Sequence, residues 1–152
     1  MLYATIDDLP REGWRWRHFR PQELACRCGG RFCRGEYFHD PAFLDAMDAL
    51  REAAGRPVSI NSGRRCPQHN AAVGGAPLSM HARTIAADVV VAGWDDEAKR
   101  RLLESAYALG FGGLGFGRSF FHLDRRPLKP TGRPAEWDYQ KGGRARWKAL
   151  LR

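Results

Sequence analysis

Two short apolar segments of the chain carry ionisable side chains where a buried strand normally carries none. Asp88 opens the run DVVVA, and His122 and Asp124 lie in SFFHLDRR. Successive side chains of a strand point to opposite faces, so His122 and Asp124 share one face. Burying such groups without partners costs several kcal/mol each. If the two segments are neighbouring strands of one sheet, we expect their polar side chains to converge on one cleft.

A third ionisable residue precedes the first of these segments. His81 begins the stretch HARTIAAD, which ends at Asp88, so the intervening loop can bring its imidazole to the same cleft. Two imidazoles and one carboxylate leave the fourth corner of a tetrahedral zinc ion free for water. We therefore predict a zinc site formed by His81, Asp88 and His122. Each residue alone also has an ordinary interpretation, as a hydrogen-bonded core group or a turn residue.

The remaining pattern predicts short helices and strands in alternation. DPAFLDAMDALREAAG reads as an amphipathic helix that starts at Asp40 and Pro41 and stops at Gly55. WDDEAKRRLLESAYALG is a second helix, with Asp95 as its N-cap and Gly110 at its end. A shorter helix is predicted over CPQHNAAVGG, and strands over PVSINS, ADVVVA, GGLGFG and SFFHLDRRP.

The length of 152 residues fits one domain. We expect an irregular N-terminal segment over residues 1–38, a core over 39–140 and a basic tail over 141–152. The last segment, RPAEWDYQKGGRARWKALLR, is expected to begin irregularly and to end in a short basic helix.

The formal net charge of +8 indicates a polyanionic neighbour, such as nucleic acid, a membrane surface or an anionic cell wall. No nucleic-acid-binding signature accompanies the charge, so we expect no specific nucleic-acid partner. No apolar run approaches the roughly 20 residues needed to span a bilayer. The N-terminus also lacks a secretion signal, which predicts synthesis in the cytoplasm.

Four cysteines form a second candidate cluster. Three lie together in ACRCGGRFC, and the fourth follows in GRRCP; they are Cys26, Cys28, Cys33 and Cys66. This arrangement is compatible with a structural zinc site or with one or two disulfides. The spacing of the first three differs from the usual C-x2-C knuckle, and both interpretations stay open.

The sequence around the candidate ligands resembles that of a known protein family. INSGRRCPQHNAAVGGAPLSMHARTIAADVVV is similar to the zinc D-Ala-D-Ala carboxypeptidases, which include the L-alanyl-D-glutamate endopeptidases of phage lysins and share their fold with the hedgehog signalling domain. The positions in step with the family pattern are Ser62, Gly63, Arg65, Asn70, Gly74, Gly75, Ser79, His81 and Asp88. GFGGLGFGRSFFHLDRRP resembles the glycine-rich strand that ends in His-x-Asp.

This resemblance implies an α+β fold, with a small antiparallel sheet, helices packed on one side and zinc in an open groove. It implies that His81, Asp88 and His122 bind Zn²⁺ and that Arg65 acts in catalysis and holds substrate. Ser79 is a further candidate for substrate binding. The implied substrates are peptidoglycan stem peptides. We also expect a monomer that resembles phage lysins and adheres to anionic cell-wall polymers. It would be released by a route other than a signal peptide.

The chain departs from the family pattern at several positions. Arg64 replaces an aromatic residue, Cys66 a serine and Thr84 a glycine. Several relatives place a catalytic acid three residues before the last histidine, where this chain has Ser119. Asp124 is then the candidate general base, or it orients a ligand imidazole from behind.

Two alternative functions follow from these departures. One is a zinc-bearing module that binds peptidoglycan or belongs to a virion and does not cut. The other is a thiol hydrolase that uses Cys33 or Cys66 with His39 or His69.

Overall fold

The computed structural model describes residues 1–152. The strands are β1 (Leu2–Tyr3), β2 (Tyr37–Phe38), β3 (Ile60–Ser62), β4 (Ala86–Val90), β5 (Gly113–Phe116), β6 (Phe120–Asp124) and β7 (Ala135–Asp138). The helices are α1 (Pro21–Leu24), α2 (Pro41–Ala54), α3 (Pro67–Ala72), α4 (Met80–Arg83), α5 (Asp96–Ala108) and α6 (Gly143–Ala149). None of these helices combines the length and apolar character of a membrane-spanning segment.

The strands form one five-stranded sheet and one small ribbon. The order in the large sheet is β3-β4-β6-β5-β7, and β1 pairs with β2. Neighbouring strands of the large sheet are antiparallel except β5 and β7, which are parallel. The predicted α+β class with a small antiparallel sheet is confirmed, except that one pair of strands, β5 and β7, is parallel.

The two long helices begin and end where the sequence predicts. Asp40 accepts a hydrogen bond from the Phe43 amide at 3.2 Å, and Pro41 opens α2. Gly55 ends that helix in the left-handed conformation, with a φ of 65°, which a glycine adopts without steric cost. Asp95 caps α5 in the same way, through a 2.8 Å hydrogen bond from the Ala98 amide.

The large sheet has one apolar and one polar face because the strand registers place apolar residues opposite apolar residues and ionisable residues opposite each other. Ala87, Leu123 and Leu114 lie opposite one another across β4, β6 and β5, and all three are fully buried. They belong to one core cluster with the apolar side chains of α2 and α5. The next row, on the other face, consists of Asp88, His122 and Gly115. The two long helices, α2 and α5, therefore cover one face, and the ionisable residues lie on the other.

Residues 1–38 contain only short elements, yet they contribute large side chains to the same core. Trp16, Phe19, Leu24 and Tyr37 are all buried in the cluster that holds the sheet and the long helices. Trp16 is fixed further by a 2.8 Å hydrogen bond from its indole nitrogen to a carboxylate of α2, that of Asp45. Packing against α2, more than local propensity, thus determines the path of this segment.

The C-terminal part differs from the sequence-based expectation in one respect. We expected irregular structure before the basic helix, and this is wrong for residues 135–138, which form β7. A strand that contains an alanine and two acids has little intrinsic β propensity, so β7 exists because β5 offers it a free edge. The short basic helix is confirmed as α6, and its Trp147 stacks on Phe121 with ring centroids 4.8 Å apart.

Candidate metal centre and groove

The three predicted metal ligands come from three different elements. His81 lies on the one-turn helix α4, Asp88 on β4 and His122 on β6. Asp88 and His122 are direct cross-strand partners on the polar face of the sheet. The hydroxyl of Ser79 accepts a hydrogen bond from the His81 amide at 3.2 Å and so caps the start of α4. The helix turn, rather than an open loop, therefore presents His81 to the sheet.

The ligand atoms of the three side chains converge on one point. His81 Nε2 lies 3.1 Å from Asp88 Oδ1 and 3.1 Å from His122 Nδ1. His122 Nδ1 lies 3.0 Å from the same carboxylate oxygen. Each residue is at most 5% exposed. The structure thus brings together all three residues that the sequence singled out.

The second nitrogen of each imidazole fixes the form of its ring. His81 Nδ1 lies 2.6 Å from the carbonyl oxygen of Gly63, which only accepts hydrogen bonds, so this nitrogen carries the proton. His122 Nε2 lies 2.7 Å from Asp124 Oδ2 and donates to that carboxylate. When both rings are neutral, their converging nitrogens are lone-pair acceptors. They face each other and a carboxylate oxygen, so either a proton or a metal ion must lie among them.

The donor set and its spacing suit zinc. Tetrahedral Zn²⁺ with bonds of about 2.0–2.1 Å to nitrogen and oxygen places its ligand atoms roughly 3.3 Å apart. The observed separations of 3.0–3.1 Å are slightly shorter than that. Three protein ligands of this kind, with histidines oriented by a carbonyl and a carboxylate, are typical of a catalytic rather than a structural site.

The pKa directions agree with this arrangement. Burial lowers the pKa of His81, which favours the neutral ring that binds metal. Burial opposes the charge of Asp88, but hydrogen bonds with His122 and His81 outweigh it and hold the pKa of this carboxyl well below its usual range. For His122, burial acts to lower the pKa, but hydrogen bonds with Asp124 and Asp88 raise it overall. The pKa of His122 is raised because the two neighbouring carboxylates stabilise a positive charge between them.

Asp124 lies behind His122 and is fully engaged. Arg126 donates to Asp124 Oδ1 from Nε at 2.8 Å and to Oδ2 from a terminal nitrogen at 2.7 Å. The Arg126 backbone amide adds a third hydrogen bond, at 3.0 Å. The residue is completely buried. Of the two roles that the sequence left open for Asp124, this environment favours orientation of His122 over proton transfer.

Two glycines of β5 make room for these side chains. A Cβ at Gly113 would lie 2.4 Å from both carboxylate oxygens of Asp124, and one at Gly115 would lie 2.9 Å from the Cβ of His122. Neither glycine has a positive φ, so the requirement is steric. Glycine therefore alternates with Leu114 and Phe116 along β5 for two reasons. The glycines leave space beside the site on one face, and the large side chains fill the core on the other.

Arg65 lies beside the three ligands. Its guanidinium donates to Asp88 Oδ2 at 3.4 Å, to Ser62 Oγ at 3.0 Å and to Asn70 Oδ1 at 3.2 Å. Its backbone amide donates to the carbonyl oxygen of His81 at 2.7 Å. Arg64, in contrast, is buried and points away from Arg65, where it bonds Glu36 and the carbonyl oxygens of Ala82 and Thr84. Arg64 therefore holds α4 in place and does not form the groove wall.

An open groove of about 670 Å³ runs over the three ligands, and Ser79 lies on its wall. The lining residues that sequence reasoning missed include Arg126, Trp137 and Tyr139. The Trp137 ring lies 5.0 Å from the His122 ring, and Arg126 lies over Trp137. The aromatic residues were missed because β7 was not expected.

Ser119 and the cysteines lie outside this groove. Ser119 is exposed in the turn between β5 and β6 and does not line the groove. The four thiols cluster together elsewhere, and their hydrogen-bond partners are backbone amides, the carbonyl oxygen of Cys33 and each other. His39 instead contacts the Tyr37 hydroxyl. No hydrogen bond joins a cysteine sulfur to the ring of His39 or His69.

The glycine at position 115 gives a direct test of the site geometry. Gly115→Ala should displace His122, Trp137 or Tyr139 and reduce the zinc bound per chain, as measured by elemental analysis after dialysis. Gly93→Ala is the control for general destabilisation: a Cβ at Gly93 meets nothing within 4 Å, but the φ of 79° is unfavourable for alanine. Equal zinc retention by both variants would contradict the steric explanation.

Comparison with known proteins agrees with the geometry. A family model described as Peptidase M15 matches residues 17–124, which is more than half of the chain and includes all three candidate ligands. A search of curated proteins gave no match. The chain therefore belongs to the Peptidase M15 family, whose members are zinc-dependent peptidases.

Proposed function

We propose that the protein is a zinc hydrolase that cleaves peptide bonds in peptidoglycan stem peptides, as a D-Ala-D-Ala carboxypeptidase or as an endopeptidase. The observation that carries this proposal is the convergence of His81, Asp88 and His122 at the floor of an open groove, with Arg65 beside them. His81 Nε2, Asp88 Oδ1 and His122 Nδ1 would hold the ion. Bound there, Zn²⁺ supplies a nucleophilic water at neutral pH and polarises the scissile carbonyl.

Arg65 is the residue that we assign to the substrate. Three of its donors are held by Asp88, Ser62 and Asn70, which fix the direction of the guanidinium plane. Its remaining N–H groups can hydrogen-bond a substrate carboxylate, or the oxyanion that forms when the carbonyl is attacked. Because its side chain is only 17% exposed, this charge is weakly screened by water.

Asp124 is assigned a positioning role. It accepts the Nε2 proton of His122 and keeps Nδ1 as the metal-facing nitrogen. Arg126 neutralises the charge of this buried carboxylate and holds it in place through two side-chain hydrogen bonds.

The groove suits an extended peptide with small side chains. Its walls combine Ser79 and backbone near Gly74 and Gly75 on one side with Trp137 and Tyr139 on the other. Apolar rings can cover alanine methyl groups, and the nearby arginines can hold the carboxylates of a stem peptide. The net charge of +8 supports adhesion to anionic wall polymers. We further propose that the protein acts on the cell wall as a monomer.

One observation favours a second candidate, a zinc-bearing peptidoglycan-binding module that does not cut. The position of the usual acid is an exposed serine, Ser119, and Asp124 is saturated by His122 and Arg126. Asp88 and Asp138 are the only acids of the groove lining, and Asp138 accepts the Arg144 amide at 2.5 Å. Turnover distinguishes the candidates, because a module would bind stem peptides and release them intact.

Digestion of purified muropeptides, followed by mass spectrometry, tests the proposed reaction and identifies the bond. We expect zinc-dependent cleavage that chelation stops and added zinc restores. His81→Ala should lose the activity, whereas Ser119→Ala should retain it, since Ser119 is outside the groove. Cleavage that is unaffected by chelation, or that persists in His81→Ala, would rule out the proposed chemistry.

The positioning role of Asp124 predicts a graded loss. Asp124→Asn keeps the shape of the side chain but weakens its hold on the His122 proton, so zinc affinity or activity should fall about 10- to 100-fold. Excess zinc should restore part of the activity if affinity is what has changed. Glu104→Gln, which removes one exposed charge on α5, is the control for net charge. A general base at Asp124 would instead leave zinc affinity intact and abolish turnover at saturating zinc.

A further inference from the structure

The four cysteines, from two distant parts of the chain, meet at one point outside the groove. Cys26, Cys28 and Cys33 lie in the loop between α1 and β2, and Cys66 immediately precedes α3. Their four sulfur atoms all lie within 4.8 Å of one another, and none is in a disulfide. The chain thus concentrates every cysteine it has into one volume the size of a single ion site.

The spacing of the sulfurs suits one metal ion. Zn–S bonds of about 2.3 Å in a tetrahedral site place the sulfurs roughly 3.8 Å apart. Cys28 Sγ and Cys33 Sγ are 3.5 Å apart, whereas a disulfide bond is about 2.05 Å long. Two disulfides would bring the sulfurs together in pairs, and no such pairing is present.

Backbone amides around the cluster point at the sulfur atoms. Cys28 Sγ accepts the amides of Phe32 and Cys33, both at 3.4 Å. Cys33 Sγ accepts the Glu36 amide at 3.4 Å, and Cys26 Sγ accepts the Cys66 amide at 3.3 Å. A thiolate is a far better acceptor for such donors than a neutral thiol is. Three of the four sulfur atoms therefore have amide donors that would stabilise a thiolate, although Cys28 Sγ also lies 3.6 Å from the carbonyl oxygen of Cys33.

Glycines give the loop this shape. Gly29, Gly30 and Gly35 have φ values of 68°, 85° and 85°, and a Cβ on any of them would meet nothing within 4 Å. These glycines are consequently required by the backbone conformation and not by crowding. They curl the chain around Cys28 and Cys33 so that its amides face inward.

We propose that Cys26, Cys28, Cys33 and Cys66 bind a structural zinc ion, separate from the groove. Four thiolates around one tetrahedral position are a ligand set of closed structural zinc sites. Zinc with four thiolates carries two net negative charges, and three arginines, Arg27, Arg31 and Arg34, are close to the cysteines in sequence. The proposal does not depend on the reaction assigned to the groove.

The position of the four cysteines suggests how the proposed ion would stabilise the fold near the groove. Cys66 directly follows Arg65, and the same turn carries Gly63, whose carbonyl orients His81. This turn is pressed against the N-terminal segment, where Arg64 N donates to Leu24 O at 2.8 Å and a Cβ at Gly63 would lie 2.6 Å from Leu24 O. A zinc ion that joins Cys66 to Cys26 would lock this contact. The ion would thereby fix Arg65 and His81 without touching substrate.

Metal analysis of the purified full-length protein tests this inference. We expect one equivalent of zinc to remain in His81→Ala, which lacks a groove ligand but keeps all four thiols. Replacement of zinc by cobalt in that variant should give the intense near-ultraviolet band of thiolate-to-cobalt charge transfer. A mercurial that titrates the thiols should release this equivalent. The double variant Cys28→Ser, Cys33→Ser should lose it.

The result does not depend on whether the cysteine variant folds, because His81→Ala alone decides it. Any of four results would overturn the proposal. They are absence of metal from His81→Ala, absence of the cobalt band, iron in place of zinc, and disulfides detected by thiol counting after denaturation.

Discussion

The close approach of three hydrogen-bond acceptors is the interaction on which the rest of the polar face depends. His81 Nε2, His122 Nδ1 and Asp88 Oδ1 lie 3.0–3.1 Å from one another, and each would repel the others without a positive charge among them. The pairing of β4 with β6 places Asp88 opposite His122, and Ser79 and Gly63 fix His81. The fold thus holds in place an arrangement that only a bound cation or a proton makes favourable.

Sequence reasoning identified the parts of this site that rest on local or motif-level signals. The ends of α2 and α5 followed from Asp40, Gly55 and Asp95, whose side chains or backbone conformations act within a few residues. The ionisable residues in apolar strands indicated the metal ligands because burial of such groups requires a compensating partner.

Other parts of the site depend on tertiary contacts that leave little local trace. The strand β7 is held by tertiary pairing with β5, so Trp137 and Tyr139 could not be placed in the groove beforehand. The hydrogen bonds from Arg126 to Asp124 likewise could not be predicted from the sequence, because they depend on the three-dimensional path of the chain after β6. The cysteine spacing was compatible with disulfides or metal, and the distances between sulfurs favour metal.

The most direct test of the central claim is a crystal structure of the zinc-loaded protein, with anomalous diffraction measured at the zinc absorption edge. We expect a peak within about 2.0–2.2 Å of His81 Nε2, Asp88 and His122 Nδ1, with His122 Nε2 still bonded to Asp124. No peak among these three residues, or coordination through His122 Nε2, would contradict the proposed metal centre.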